Sequence, residues 1–510
     1  MESAQTAVET IWPYVFTLIT IVNYIVIAYV LFLERKQSES RFAWLLALVF
    51  LPILGLLLYI LFSGHFFNKP RHMEAAKKSV SKFTESLVLE QKKFFYSEHP
   101  KIHNDVMRDY FDLVDLNLKY AHSPVTFADS ETIFLWGQDK FERLYEDIEC
   151  AVKCVYIEYY IFRNDKTGTR IMDLLCKKAR EGLDVKLLYD DWGCMKTPKK
   201  FFGRLDKAGG MTLTFSPIKK IMPLTLNFRT HRKIIVIDEK IAYMGGTNIG
   251  DEYANLTSRV WRDTHLRLSG SCVYSVLSVF LIDWFSVATG RKAKRKYPGE
   301  NFVSPETQLA NLNRQILNDI KNDVPGDPQV PTQIITSGPD DIHKTEIKDA
   351  IMRLISSSKK SVFIQTPYFT PDSSFYSVLR VAALSGVDVQ IMVPTDWDHW
   401  FVRDAAFVNI QSLMSYGIKF YAYPGFIHSK TIVVDGKVSI IGSANIDTRS
   451  FDLLYEIDTI FYDENFAKKN VKIFMEDREK SFLHQLAWFE NRPILQRAVW
   501  GFARLFAPLM

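Results

Sequence analysis

The chain repeats itself, and that constrains its fold more than any other feature. Residues 231–249 read HRKIIVIDEKIAYMGGTNI, and residues 428–446 read HSKTIVVDGKVSIIGSANI. Nine of these nineteen positions are identical. Upstream, VYIEYYIFRND at Val155–Asp165 parallels VFIQTPYFTPD at Val362–Asp372. Between those blocks, GLDVKLLYDDWG from Gly182 parallels GVDVQIMVPTD from Gly386. Three blocks in one order mean a duplicated domain, with halves at roughly 130–290 and 331–482. Each half alternates short apolar runs such as VKLLY and VQIMV with helical stretches such as Ile171–Gly182, which ends on a glycine. The fold class is therefore α/β, built as two pseudo-symmetric sandwich domains. Residues 291–330 open with RKAKRK and read as an inter-domain linker. The basic run suits a solvated turn or, beside a membrane, anionic headgroups.

The N-terminus reads as a membrane anchor. No Asp, Glu, Lys or Arg falls between Glu9 and Glu34, or between Arg41 and Lys69, which leaves uncharged runs of 24 and 27 residues. Both exceed the roughly 20 residues that cross a hydrocarbon core. A cleaved signal peptide wants a positive start, whereas this one carries Glu2 and Glu9. The expectation is two retained transmembrane helices over 1–68, with Pro52 and Gly55 tolerated inside the second. A membrane-proximal linker over 69–129 would follow. Basic residues number three in the inter-span loop and four in the flank, a small margin for orientation. The five cysteines are few and irregularly spaced. They read as free thiols rather than a disulfide framework or a metal site, and they point to a cytoplasmic main domain.

Composition narrows the function. Hydrophobic residues at 47% exclude disorder as the main state. A net charge of +5 on 63 basic and 58 acidic residues is too balanced for a surface devoted to nucleic acid.

The repeated block carries chemistry. Asp435-Gly436, and Asp238-Glu239 in the first copy, mark hairpin turns. Asp238 and Asp435 therefore fix structure. Before each turn, His231 with Lys233, and His428 with Lys430, share one face of a strand. After it comes a Gly–small–x–Asn segment ending at Asn248 or Asn445, whose amide can hold a phosphate oxygen. Two histidines, two lysines and two asparagines at one seam suit a phosphodiester. One histidine attacks phosphorus, the other protonates the leaving alcohol, and lysine supplies the positive charge without a metal. Each copy is followed by a carboxylate, Asp263 or Glu456, placed to orient a histidine through its second ring nitrogen, or to pair with Arg262 or Arg449.

These residues resemble the phospholipase D superfamily, whose duplicated H-x-K-x4-D-x6-G-[GS]-x-N motif fits both copies without a gap. With the N-terminal spans and the blocks IEYYIFRND, WRDTH and QTPYFTPD, almost the whole chain is similar to bacterial cardiolipin synthases. The resemblance implies two phospholipase D-like domains and a phosphatidyltransferase. It would make cardiolipin and glycerol from two phosphatidylglycerol molecules in an anionic membrane, without cofactor or nucleic acid, with a homo-oligomer left open. His231 would be the nucleophile and His428 the general acid and base, although the motif's symmetry leaves the roles exchangeable. A hydrolytic phospholipase D giving phosphatidic acid is the nearest alternative; a superfamily nuclease and an idle membrane scaffold are others. Ser216–Phe228, mixing Lys219 and Lys220 with apolar residues, suits the membrane interface or the core. The tail over 483–510 suits an interfacial helix or one packed on the catalytic domain.

Overall fold

The computed structural model describes residues 2–34, 38–62, 85–97, 102, 104–216, 228–288, 296–297, 329–339 and 345–506. Residues 217–227 of the expected interface segment and most of the 291–330 linker lie outside these residues.

The duplication is visible as one strand order used twice. In the first half it runs Ser130–Phe134, His265–Ser269, Ile241–Gly245, Lys233–Ile237, Cys154–Tyr159, Asp184–Asp190, Met211–Phe215. In the second it runs Val330–Ser337, Leu454–Tyr462, Val438–Gly442, Thr431–Val434, Ser361–Gln365, Asp388–Pro394, Lys419–Tyr423. The last three strands of each order are parallel, because helices such as Lys166–Arg180 and Ser373–Leu384 carry the chain back over the sheet. The others pair antiparallel through the hairpin that carries the repeat. Lys233–Ile237 is buried along its length, as central strands covered on both faces are.

The halves share a core. Helix Cys272–Ala288 is apolar on nearly every side because it is enclosed: Val276, Phe280 and Trp284 pack with Ile234 and Met244 of the first sheet and Ile457 and Phe461 of the second. The stretch expected as a linker over 69–129 is partly domain. Leu113, Val114 and Leu118 join the second half's core, and Val125–Ala128 pairs antiparallel with Val330–Ser337 at its sheet edge. A sequence pattern cannot report a partner strand some 200 residues away.

At the N-terminus, α1 (Glu2–Phe32) contains Trp12–Phe32, the one described helix long and apolar enough to cross a membrane. The second expected span is not one helix. It is α2 (Ser38–Phe50) and α3 (Pro52–Phe62), bent sharply at Leu51. The approach is so close that a Cβ on Gly55 would sit 2.1 Å from the Ala47 carbonyl oxygen. At 1.5 Å per residue the arms reach about 20 and 17 Å, short of a ~30 Å hydrocarbon core. Trp44, Leu48, Leu56 and Tyr59 pack with Val26 and Val30 of α1, and Asn23 Nδ2 donates to the Leu48 carbonyl at 3.1 Å.

The tail packs on the domain by one face and leaves apolar side chains exposed on the other. In helix Ile494–Phe506, Trp500 and Ala503 are buried in the domain, while Leu495, Val499 and Phe502 are exposed. The helix packs on Trp400–Met414 and also touches α2. Of the five free cysteines, four are buried and Cys150 is exposed.

Candidate functional site

Both histidines sit where a chain segment leaves its own half and reaches the other. Arg229–Thr230 pairs in parallel with Leu454 and Tyr455 of the second half, and Trp261–Arg262 with Phe426–Ile427. The His231 amide then donates to the Tyr455 carbonyl at 2.9 Å, and the His428 amide to the Arg262 carbonyl at 2.7 Å.

These crossovers bring each histidine to the other half's carboxylate. His231 Nδ1 meets Glu456 Oε1 at 2.8 Å, and His428 Nδ1 meets Asp263 Oδ2 at 2.7 Å. With Nδ1–H donated to a carboxylate, Nε2 is the nitrogen left for the cavity. Each half therefore supplies one histidine and orients the other. The alternative pairing of these carboxylates with arginine does not occur among the described residues: Arg262 bonds Asp477 at 2.6 Å, and Arg449 makes no ion pair.

The two carboxylates differ in their other partners. Asp263 Oδ1 accepts the Thr264 amide at 2.7 Å. Burial works to raise its pKa, but His428, Lys430 and that amide hold it below the ordinary value. Glu456 Oε2 accepts the Ser443 hydroxyl at 2.5 Å, and burial pushes this carboxyl up to about 7 against the pull of Lys233. The variable motif position explains the pairing. At Gly246 a Cβ would stand 2.2 Å from Asp263 Oδ1, so the shorter aspartate occupies that space; in the other copy Ser443 fills it and bonds the longer glutamate.

The lysines brace the strand and charge the cavity. Lys233 Nζ donates to the His231 carbonyl at 2.5 Å, and Lys430 Nζ to the His428 carbonyl at 2.6 Å. Burial lowers Lys233 to about 7 and Lys430 to about 8. Burial and the lysine charges together drive His231 well below its ordinary value. Burial and Lys430 take His428 down to about 4, with Asp263 pulling back. Burial and the lysine charges disfavour both imidazoliums, and a phosphodiester anion offsets that repulsion, so that His428 can take up the proton an acid must hold.

His231, His428, Asn248 and Asn445 line one cavity of about 290 Å³. The amide of Ile161 donates to Asn248 Oδ1 at 3.3 Å, while Asn445 Oδ1 is buried with no hydrogen-bond partner among the described residues. Asp238 and Asp435 are not in the cavity. Both have positive φ at the far ends of the hairpins, and each accepts three consecutive amides: Val152, Lys153 and Cys154 for one, Lys359, Lys360 and Ser361 for the other. They tie each hairpin to the start of the neighbouring strand.

Several lining groups escape the sequence reading. Tyr160 edges onto the His231 ring at 5.2 Å, and Trp261 onto His428 at 5.2 Å. The Arg449 guanidinium lines the cavity with no hydrogen bond among the described residues; its place three residues after Ile446 in IDTRSF was the available signal. Tyr368, Asp398, His399 and Asp447 complete the second half's wall, scattered over 80 residues with no motif to join them.

Comparison with known proteins follows the same lines. Residues 144–258 and 351–478 match the family described as cardiolipin synthase, PLD-like domain. Residues 18–64 match the phospholipase D-nuclease N-terminal family. The chain is 36% identical over 498 residues to the major cardiolipin synthase ClsA of Bacillus subtilis, covering 97% of this chain and 98% of that one. It is 34% identical over 507 residues to the cardiolipin synthase of Listeria welshimeri, covering 98% and 99%. Among solved structures, the phosphatidylserine synthase of Haemophilus influenzae shares the fold at a TM-score of 0.58 and 14% identity, over 80% of this chain and all of that one.

Proposed function

The chain belongs to the cardiolipin synthase family of phospholipase D-like proteins, and on that premise we propose that it transfers a phosphatidyl group from one phosphatidylglycerol to another, giving cardiolipin and glycerol. The observation that carries this reading is the crossed pair of histidines over one cavity, each held by the other half's carboxylate. The cavity is large enough for a phosphodiester headgroup, not for acyl chains.

His231 Nε2 attacks phosphorus. The bond to the glycerol oxygen breaks, and that oxygen takes a proton from His428, leaving phosphatidyl-His231. A second phosphatidylglycerol then gives its hydroxyl proton to His428 as its oxygen attacks phosphorus and the P–N bond breaks. Lys233, Lys430, Asn248, Asn445 and Arg449 hold the phosphate oxygens. The asymmetry of the carboxylates supports these roles. Ionised Asp263 favours the imidazolium that an acid–base histidine must become, whereas Glu456, raised toward neutrality, keeps His231 an uncharged nucleophile. One phosphodiester replaces another, so no nucleotide is required.

The membrane reading follows from the anchor. α1 crosses the bilayer, α2 and α3 embed beside it, and free cysteines support a cytoplasmic catalytic domain. The exposed apolar face of Ile494–Phe506 suits the lipid interface, and the helix beneath it, Trp400–Met414, carries Val402 in the cavity wall. The mouth of the site thus lies near the lipid that feeds it.

The test is a product analysis. Purified protein with phosphatidylglycerol vesicles, without nucleotide or metal, should yield cardiolipin and glycerol in equal amounts. Phosphatidic acid with glycerol and no cardiolipin would move the protein to hydrolysis.

Two further results are expected. Gly246→Ser should place a side chain on the Asp263 carboxylate, displace His428 and lower turnover about 100-fold, with little change in melting temperature. Activity should also weaken in base. Both lysines have lowered pKa values in the folded protein, so their charge is lost as pH rises through about 7 and 8. KM for phosphatidylglycerol should rise roughly tenfold between pH 7 and 9, with kcat changing less because a bound anion favours the charged lysines. Steady-state kinetics in mixed micelles would measure both, and a flat KM would count against phosphate binding by the lysines.

A further inference from the structure

The cavity has two unlike walls. The parallel blocks put Ile161 of the first half in register with Tyr368 of the second, and both line the cavity. The register is secure, since Asp165 and Asp372 four residues on both cap the following helix. One wall is therefore apolar where the other carries a hydroxyl. The Tyr368 hydroxyl donates to Asp398 Oδ2 at 2.5 Å, and His399 Nε2 stands 3.7 Å from the same oxygen. Asp398 acts on Lys430, next to the proposed acid–base histidine, while the Arg449 guanidinium acts on His231.

A carboxylate in a cavity built for phosphodiesters repels its own substrate unless it meets hydrogen-bond donors. Asn445 Oδ1, 5% exposed in the same wall and with no hydrogen-bond partner among the described residues, is a second acceptor. We propose that Asp398 and Tyr368 form a subsite for the polyol of the headgroup, which selects glycerol over alcohols that lack a second hydroxyl; the proposal rests on the phosphatidyl transfer argued above. In-line displacement puts the leaving glycerol opposite His231. The incoming glycerol must enter from that same side, so one subsite serves both steps. In each, the hydroxyl beside the bonded oxygen donates to Asp398, while the reacting oxygen exchanges its proton with His428.

The test is a competition between acceptors. Full-length enzyme in phosphatidylglycerol vesicles receives labelled glycerol and 1-propanol at equal concentration. Labelled phosphatidylglycerol and phosphatidylpropanol are then counted. Asp398→Asn should lower the glycerol-to-propanol ratio about tenfold, since a site built around a substrate hydroxyl discriminates through it. Tyr368→Phe, which removes only one oxygen, should lower the ratio about threefold. An unchanged ratio, including one in which both products fall together, overturns the subsite. So does a third arm with ethanolamine, if Asp398→Asn loses phosphatidylethanolamine while the glycerol ratio holds, because that marks an ammonium site. Wild-type enzyme that forms none of these products, and no cardiolipin, overturns the transfer reading itself.

Discussion

Alanine at His231 is expected to lower cardiolipin formation by about 10⁴-fold or more, because the side chain that bonds phosphorus is gone and water has no comparable position. Alanine at His428 is expected to lower steady-state turnover as severely, but for another reason: the leaving glycerol loses its proton donor and the second acceptor its base. The double variant should be little worse than either single one, since groups that act as a unit are not additive. Neither change should unfold the protein. Both rings project into the cavity, and the strands behind them are held by the Lys233 and Lys430 bonds to the histidine carbonyls. Initial rates of cardiolipin formation, with thermal unfolding measured alongside, check this. Substantial turnover in either variant would remove that histidine from the reaction.

The second large effect separates the two carboxylates. Asp263→Asn should lower kcat about 1,000-fold and Glu456→Gln only about tenfold. Asp263 accepts on both oxygens, from the His428 ring and from the Thr264 amide, which can only donate. An asparagine must turn its NH2 on one of them, so the ring is misaligned or the amide orphaned. Glu456 gives one oxygen to His231 and the other to the Ser443 hydroxyl, which can reverse and accept from a glutamine. Charge works in the same direction. Asp263 is held ionised, whereas burial has already brought Glu456 to about 7. Both variants should also be compared across pH. Losing an ionised partner should make the Asp263 variant's acid limb shift, because His428 then holds its proton less firmly. Equal losses in the two variants would mean that the halves contribute alike.

The sequence makes the candidate site's hairpins legible because the duplication is local. A histidine, a lysine, a turn aspartate and an asparagine at fixed spacing lie within one hairpin, and a hairpin is a short-range structure. The same locality put Asp238 and Asp435 at the turns. What sequence could not reach depends on contacts between distant segments. Nothing near Asp263 tells that it serves His428 rather than His231; that follows from the short parallel pair of Trp261–Arg262 with Phe426–Ile427. Tyr368 and Asp398 belong to different loops, and only the closed cavity joins them. Val125–Ala128 precedes the first half yet extends the second half's sheet. The second apolar run has the composition of a span, within which Pro52 and Gly55 are tolerable. The chain instead turns there, where only a glycine lets two helix arms approach so closely.

The most direct test of the account is to find the covalent intermediate. Wild-type protein should be quenched in acetonitrile at alkaline pH within the first turnover on labelled phosphatidylglycerol, digested, and its peptides mapped by mass spectrometry. A phosphatidyl group on the peptide containing His231, and absent from the one containing His428, is the predicted result. Label on His428 would reverse the roles drawn from the Asp263 and Glu456 asymmetry. Cardiolipin formed with no labelled histidine at any quench time would contradict the double displacement itself.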